Sequence, residues 1–150
     1  MQSEYRIPIL QKSSKMDNVI INHWAVWICA ALNLALGAFW YSPLLFFKAW
    51  KKENKLTDQD LSRLNPGLVY SLTFLLSLLI AYNLAFFLGD ENVDGTWGLT
   101  AGFLSGFGWA AAIFVVVALF ELRSWRYILI NAGYIIFYFS LTGWIIGFWG

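Results

Sequence analysis

Charged residues are absent from four long stretches of this sequence. No Asp, Glu, Lys or Arg occurs in 18–47, 64–89, 95–120 or 127–150. A membrane-crossing helix needs about 20 consecutive, mostly apolar residues, so each stretch is long enough to cross a bilayer once and too short to cross it twice. The pattern predicts an all-α, polytopic membrane protein with four transmembrane helices in a bundle.

Composition supports a membrane protein and argues against two other classes. Of the 150 residues, 59% are apolar and 13% are charged, against about 25% charged in an average soluble domain. The stretches are continuously apolar rather than alternating with period two, which disfavours a membrane β-barrel. The net charge of +1 gives no reason to expect a nucleic acid partner. The predicted partner is the lipid bilayer.

The first 17 residues differ from the rest. Residues 1–17 are polar and are interpreted as an N-terminal extension to a transmembrane domain at 18–150. The apolar run that follows is longer than the 7–15 residues of a signal-peptide core, so a membrane anchor fits better than a cleaved leader. Met16 precedes the first span directly, and either Met1 or Met16 could be the start of translation.

The first predicted helix, about Val19–Ser42, ends before Pro43 because the residue preceding proline is disfavoured in the α conformation. One stripe of this helix is predicted to face protein rather than lipid, because its residues recur at steps of three and four. Its members are His23, Trp27, Ala30, Asn33, Gly37, Trp40 and Tyr41.

A basic segment, Leu44–Lys55, follows the proline. Its lysines, at i, i+3, i+4 and i+7, would share one side of a helix; they are Lys48, Lys51, Lys52 and Lys55. This pattern is typical of a short helix lying in the membrane interface, with its lysines directed at lipid headgroups. The alternative is a solvated cytoplasmic loop that follows the positive-inside rule.

Glycines in the last two spans recur at four-residue steps. The third span carries Gly98, Gly102 and Gly106, and the fourth ends with Gly143 and Gly147. Such small-xxx-small ladders let a neighbouring helix approach closely in a membrane. The pattern predicts packing faces, and the covering helix could belong to this chain or to a second copy in a homo-oligomer.

Hydrogen-bonding side chains are predicted to meet near one end of the bundle. Alternating helix directions bring the following residues to similar depth: Trp40, Tyr41, Ser42, Tyr70, Thr73, Glu121, Arg126, Asn131 and Tyr134. Lipid offers such groups no partners, so they should turn inward. They could form a structural network, or a pocket with Glu121 and Arg126 at its mouth.

Residues for catalysis are scarce. The chain has one histidine, His23, and one cysteine, Cys29, and no paired carboxylates within the spans. No catalytic triad, zinc site or acid/base pair follows from such a set. The acidic residues Asp90, Glu91 and Asp94 fall in one short connection and are interpreted as solvated. No catalytic residue, metal or cofactor is predicted, and we do not expect an enzyme.

Several motifs resemble those of domain of unknown function family 1761. The resemblance rests on Gly-Ala-Phe-Trp-Tyr-Ser-Pro-Leu-Leu-Phe at 37–46, Lys48-Ala-Trp50, Leu56-Thr57 with Asp60-Leu61, the run 73–78, Phe120-Glu121 and Ile-Asn-Ala-Gly-Tyr at 130–134. It spans about 16–150, and Trp-Tyr-Ser-Pro is its most specific part. The family comprises small bacterial membrane proteins without an assigned activity. The resemblance implies four spans and nothing about function.

These observations favour a self-associating or accessory membrane component without catalytic activity. The alternative is binding or transport of a small solute or lipid through a polar inner cavity. Lys and Arg favour the cytoplasmic side of a membrane. Seven of them fall in 44–65 and 121–126 and three in 1–17. Both connections are therefore predicted inside the cytoplasm and both termini outside, in the inner (plasma) membrane.

Overall fold

The computed structural model describes residues 19–89 and 93–149, and these residues form six helices, four long and two short. The bounds are α1 His23–Trp40, α2 Phe47–Glu53, α3 Asp58–Ser62, α4 Pro66–Phe87, α5 Gly95–Phe120 and α6 Trp125–Trp149. The long helices α1, α4, α5 and α6 have 18 to 26 residues and are apolar enough to cross a membrane. The predictions of four spans and of a short helix between the first two are confirmed. The N-terminal extension lies outside the described residues.

Each membrane-crossing helix is directly preceded by a residue whose side chain accepts a hydrogen bond from a backbone N–H three positions along. The pairs are Asn22 with Ala25, Asn65 with Leu68, Asp94 with Trp97 and Ser124 with Tyr127, at 2.7–3.2 Å. Such a cap stabilises a helix by about 1 kcal/mol because it satisfies an otherwise free backbone donor. These caps fix the residue at which each membrane-crossing helix begins.

The ends of the helices define two faces of the bundle. Asn22 Nδ2 donates to the carbonyl oxygen of Trp149 at 3.1 Å, so the first span begins where the last one ends. We call this the terminal face; it also carries 88–89 and 93–94. The opposite face carries 41–65 and 121–124, and we call it the lysine face. There Ser124 Oγ donates to Glu53 Oε2 at 2.5 Å.

Two helix pairs build the bundle. Helix α1 packs on α4, α5 packs on α6, and α6 also contacts α1 and α4. The main apolar core lies toward the terminal face and consists of Val26, Cys29, Ala81, Leu84, Ala85, Leu88, Ala101 and Ile146. The thiol of Cys29 is fully buried in this core, where it packs as a small apolar group.

The glycine ladder of α5 is covered by α6 of the same chain. A methyl group added at Gly98 would overlap the carbonyl oxygen of Gly143, and one at Gly102 would overlap the carbonyl oxygen of Phe139. From the other side, a methyl group at Gly147 would come within 2.5 Å of the carbonyl oxygen of Asp94. The two backbones are thus in direct contact, which only glycine permits at these positions.

Helix α5 is interrupted by a π-helical segment, Gly106–Ala111. In such a segment backbone N–H groups bond to the carbonyl five residues earlier, and single π turns inside α-helices often accompany functional sites. This segment starts at the last glycine of the ladder, where the Cβ of Phe139 lies 2.7 Å from the site of an added methyl group. The sequence pattern does not predict this segment.

The basic helix α2 is shorter than the predicted segment and is folded onto the end of the bundle. It ends at Glu53, and Lys55 has a left-handed backbone with φ 55°, so Lys55 is not aligned with the other lysines. Lys51 pairs with Asp58 of the next helix. Lys48 and Lys52 are exposed. Trp50 packs edge-on against Tyr41 at 5.7 Å between ring centroids.

Helix α3 is a single turn held by a capping box. The hydroxyl and the backbone N–H of Thr57 both donate to Asp60 Oδ2, at 2.6 and 2.8 Å. These hydrogen bonds lower the pKa of the Asp60 carboxyl, because they favour its charged form. The turn places the chain for its return into the membrane at Pro66.

Candidate functional site

Four of the residues predicted to cluster near the lysine face meet between α1 and α6, namely Trp40, Tyr41, Asn131 and Tyr134. Tyr41 donates its hydroxyl to Asn131 Oδ1 at 2.8 Å, and Asn131 Nδ2 donates to the Tyr127 carbonyl at 2.8 Å. At the adjacent residues, Trp40 Nε1 donates to the Ile130 carbonyl at 3.1 Å. These contacts hold the end of α1 against the beginning of α6.

A second set of hydrogen bonds extends the cluster to α4. The hydroxyl of Tyr134 donates to Asn33 Oδ1, and Asn33 Nδ2 donates to Ser77 Oγ at 2.6 Å. Ser77 in turn donates to the Thr73 carbonyl at 2.6 Å. Asn33 is 7% exposed and Ser77 is 1% exposed, so these bonds lie inside the protein. We refer to Asn33, Tyr41, Ser77, Asn131 and Tyr134 as the polar network.

Aromatic rings surround the polar network. The Trp40 ring lies 5.0 Å from Phe46 and 6.2 Å from Tyr134 between centroids, and Tyr41 lies 5.5 Å from Tyr134. The Tyr138 hydroxyl adds a contact to the Ser77 carbonyl at 3.4 Å. All of these groups are uncharged, and within the described residues their hydroxyl and amide donors are directed at neighbouring side chains or carbonyls. Such an arrangement can tie helices together, and it has no charged member to act as acid or base.

The other predicted members lie outside the polar network. Tyr70 is 60% exposed on α4, and the Thr73 hydroxyl donates to the carbonyl of Val69 on its own helix at 2.8 Å. Ser42 Oγ is buried and has no hydrogen-bond partner among the described residues. At the lysine face Glu121 pairs with Arg123 at 3.1 Å, and Arg126 is exposed.

Three residues of the network region were not in the predicted cluster. Asn33 belongs to the stripe on α1, so spacing had indicated that it faces protein. Ser77 follows Thr73 by one turn and Tyr138 follows Tyr134 by one turn, which is the only signal the sequence offers for them. At the start of that stripe the structure places His23 on the surface, with Nδ1 3.0 Å from the Tyr82 hydroxyl.

A cavity of about 380 Å³ lies between α4 and α5. We call it the lateral groove; its walls are Leu79, Ile80, Asn83, Leu84, Phe87, Ser105, Trp109 and Phe139. The rings of Phe87 and Trp109 meet across it, 6.2 Å apart and nearly perpendicular. Trp109 belongs to the π-helical segment, and Ser105 precedes that segment directly. The groove does not overlap the polar network.

Potential metal ligands are dispersed in the part of the chain that the structure describes. Within 19–89 and 93–149, His, Cys, Asp and Glu form no group of three able to hold a metal ion. The predicted solvated turn with Asp90 and Glu91 lies outside those ranges. Cys29 and His23 are on the same helix and have different surroundings, a buried core and an exposed end.

The family described as "Protein of unknown function (DUF1761)" matches residues 24–147, from the first span to the last. The chain belongs to this family. As a DUF1761 protein it shares a description that assigns no activity. Comparisons with curated proteins and with solved structures gave no match.

Proposed function

We propose that this DUF1761 protein is a non-catalytic accessory component of the membrane that associates with a second copy of itself through α4. The observation that carries the proposal is the exposure of the first part of that helix. Every residue of 62–72 is exposed, while Ser77, Ala81, Leu84 and Ala85 farther along α4 are buried. Pro66–Leu72 covers nearly two helical turns, so no side of this part packs on the rest of the chain.

One side of the neighbouring end of α5 is exposed as well. Ile113, Val116, Val117 and Phe120 are all exposed, and Phe120 is 87% exposed. Toward the lysine face α4 therefore has no neighbour within the chain, and α5 packs on α6 along one side, through Phe114 against Tyr127, and leaves its other side exposed. Helices from a second copy would cover these ends, and a two-fold arrangement would pair α4 with the same surface of its partner.

Side chains on the uncovered part of α4 also favour a protein neighbour. Tyr70 and Ser71 are exposed there, and Ser71 lies about 7.5 Å along the helix from Pro66, at 1.5 Å per residue. Helix association in membranes relies on close packing and on interhelical hydrogen bonds of this kind. The glycine ladder is occupied within the chain, so the association surface we propose is α4 and not the ladder.

The state of the polar network supports a non-catalytic role. Its hydrogen bonds run between side chains and carbonyls of α1, α4 and α6, and none of its members is charged. An enzyme would need an ionisable or nucleophilic group held beside open space. Binding of a lipid or small solute is the second candidate, and the lateral groove is the observation that favours it.

We further propose that the lysine face is cytoplasmic and that the protein resides in the inner (plasma) membrane, with both termini outside the cytoplasm. The lysine face carries the exposed Lys48, Lys52, Lys55 and Arg63. Lys and Arg are retained on the cytoplasmic side during insertion. Lys48 and Lys52 of α2 are free to approach lipid phosphates there, whereas Lys51 is paired with Asp58.

The oligomeric state in lipid nanodiscs or mild detergent tests the self-association. We expect a mass of two chains that persists on dilution into nanomolar concentrations in a detergent that retains lipid. Replacing Leu68 and Leu72 together with the bulkier Trp should shift the protein toward one chain, because both are exposed on the same side of α4. The matched control is Leu129→Trp on α6, which is 69% exposed and should leave the mass unchanged. A single-chain mass for the unaltered protein would contradict the proposal.

A further inference from the structure

The lateral groove opens toward lipid because its two walls belong to different helix pairs. Helix α4 packs on α1, and α5 packs on α6, so α4 and α5 stand apart with Phe139 of α6 between them. On the walls, Leu79 is 59%, Phe87 71% and Trp109 66% exposed, and they therefore face whatever occupies the groove. In a bilayer the neighbouring medium is lipid.

The walls combine an apolar surface with two hydrogen-bonding side chains. Asn83 Nδ2 donates one hydrogen to the Leu79 carbonyl at 2.8 Å, which leaves its second N–H available. The Ser105 hydroxyl is the other polar group of the groove. Each side chain carries an acceptor oxygen as well as a donor, and an unsatisfied donor in a bilayer costs free energy. The complementary ligand carries an acceptor on an apolar body.

The depth of Asn83 along α4 indicates which acceptor group of a lipid its side chain would meet. Asn83 lies four residues before the end of α4 at Phe87, which at 1.5 Å per residue is about 6 Å below the helix end. At such a depth a phospholipid presents its ester carbonyls, which accept hydrogen bonds and cannot donate them. Farther into the membrane, Leu79 and Ile80 line the groove.

The lateral groove has a volume of about 380 Å³. The volume is within the range of about 300–1,000 Å³ that is typical of small-ligand sites.

We propose that the lateral groove binds one acyl chain of a membrane phospholipid, with the ester carbonyl of that chain hydrogen-bonded by the Asn83 amide. The chain lies between α4 and α5 and contacts Trp109 of the π-helical segment. This binding is independent of the proposed self-association, because the uncovered part of α4 is toward the lysine face and Asn83 is toward the terminal face.

Photolabelling of the reconstituted protein tests the site. The probe is phosphatidylglycerol with a diazirine midway along one acyl chain, in vesicles of unlabelled lipid, and the labelled residues are located by mass spectrometry. We expect labelling to be concentrated at Leu79, Ile80 and Trp109. Asn83→Leu should lower it roughly 2- to 10-fold, the effect of losing one hydrogen bond. Leu79→Trp should lower it to the level of the remaining surface, because the larger ring fills the groove.

Two control variants match these changes. Thr100→Val removes a hydroxyl from an exposed residue of α5 outside the groove, where it bonds to the Thr96 carbonyl. Leu104→Trp enlarges an exposed residue that does not line the groove. Neither should alter labelling at Trp109, and the oligomeric mass should be the same in all four variants.

Three results would overturn the proposal. The first is labelling spread evenly over exposed residues of all four spans. The second is unchanged labelling in Asn83→Leu and Leu79→Trp while both retain the thermal stability of the parent. The third is cross-linking of Trp109 to a second copy in place of lipid, which would assign the groove to a protein partner.

Discussion

At the scale of single residues, Asn33 has the largest role in joining the helices. Its side chain accepts from Tyr134 of α6 and donates to Ser77 of α4, so one buried amide links three spans. Neither apolar lipid nor the surrounding aromatic rings could replace these partners. Asn131 makes one bond between helices, because its side chain accepts from Tyr41 and donates to a carbonyl of its own helix.

We predict that Asn33→Leu lowers the free energy of unfolding by about 1–3 kcal/mol. Interhelical hydrogen bonds in membranes contribute on average about 0.6 and at most about 1.7 kcal/mol each, and this variant removes two of them. Asn131→Leu should cost less, because it removes one interhelical bond. The measurement is reversible unfolding in mixed detergent. Thr100→Val is the matched control and should change little.

A loss of ligand binding without a loss of stability in Asn131→Leu would contradict the structural role of the network. That outcome would instead support a pocket with Glu121 and Arg126 at its mouth. Equal stability of Asn33→Leu and the parent would show that the Asn33 side chain does not hold α1, α4 and α6 together.

The depth of a residue along its helix can be estimated from the sequence, whereas the rotation of that helix about its own axis is harder to predict. Trp40, Tyr41, Asn131 and Tyr134 share a depth near the lysine face, and the structure brings them together. Tyr70 shares that depth as well, yet it is exposed because the first part of α4 has no neighbour within the chain. Sequence spacing shows which residues share a side of one helix and not which helix lies opposite.

At the scale of helices, α5 and α6 form the closest pair. The backbone at Gly98 and Gly102 lies directly against the backbone at Gly143 and Phe139. Spacing alone indicated a close approach but left two partners open, α6 or a second copy. The π-helical segment, which begins at the last glycine of the ladder, could not be predicted from the sequence pattern, since its apolar residues fit an ordinary α-helix equally well.

We predict that Gly102→Ala destabilises the protein by about 3 kcal/mol or more, at or beyond the upper end of ordinary overpacking. The added methyl group overlaps the Phe139 carbonyl, and neither backbone can move without separating the helices. Gly108→Ala is the control, because a methyl group there meets nothing within 4 Å. Thermal unfolding of the two variants in parallel is the measurement, and equal midpoints would show that the close approach is absent.

At the scale of the whole molecule, the two ends of the bundle differ in packing and in charge. The terminal face has the apolar core and the contact between Asn22 and Trp149. The lysine face has the basic helix α2, the uncovered end of α4 and an end of α5 that is exposed on one side. Four spans follow from charge distribution alone, whereas the uneven packing depends on side-chain contacts that no composition rule supplies.

We predict that a reporter fused after Gly150 lies outside the cytoplasm, so that only a reporter able to function there is active. The reason is the concentration of Lys and Arg on the lysine face, opposite the end of α6. Alkaline phosphatase, which needs an oxidising compartment, and a cytoplasmic fluorescent protein form a complementary pair of fusions. Fluorescence without phosphatase activity would reverse the proposed orientation.

The central claim, that α4 joins two copies of the chain, is tested most directly by disulfide cross-linking in membranes. Single cysteines are placed in turn at 68–72 in a Cys29→Ala background, and the control is Leu129→Cys on α6, where the leucine is 69% exposed. We predict oxidised dimers at two or more of the α4 positions, three or four residues apart, and none at the control. Absence of dimers at all five positions, with each cysteine accessible to a thiol reagent, would contradict the claim.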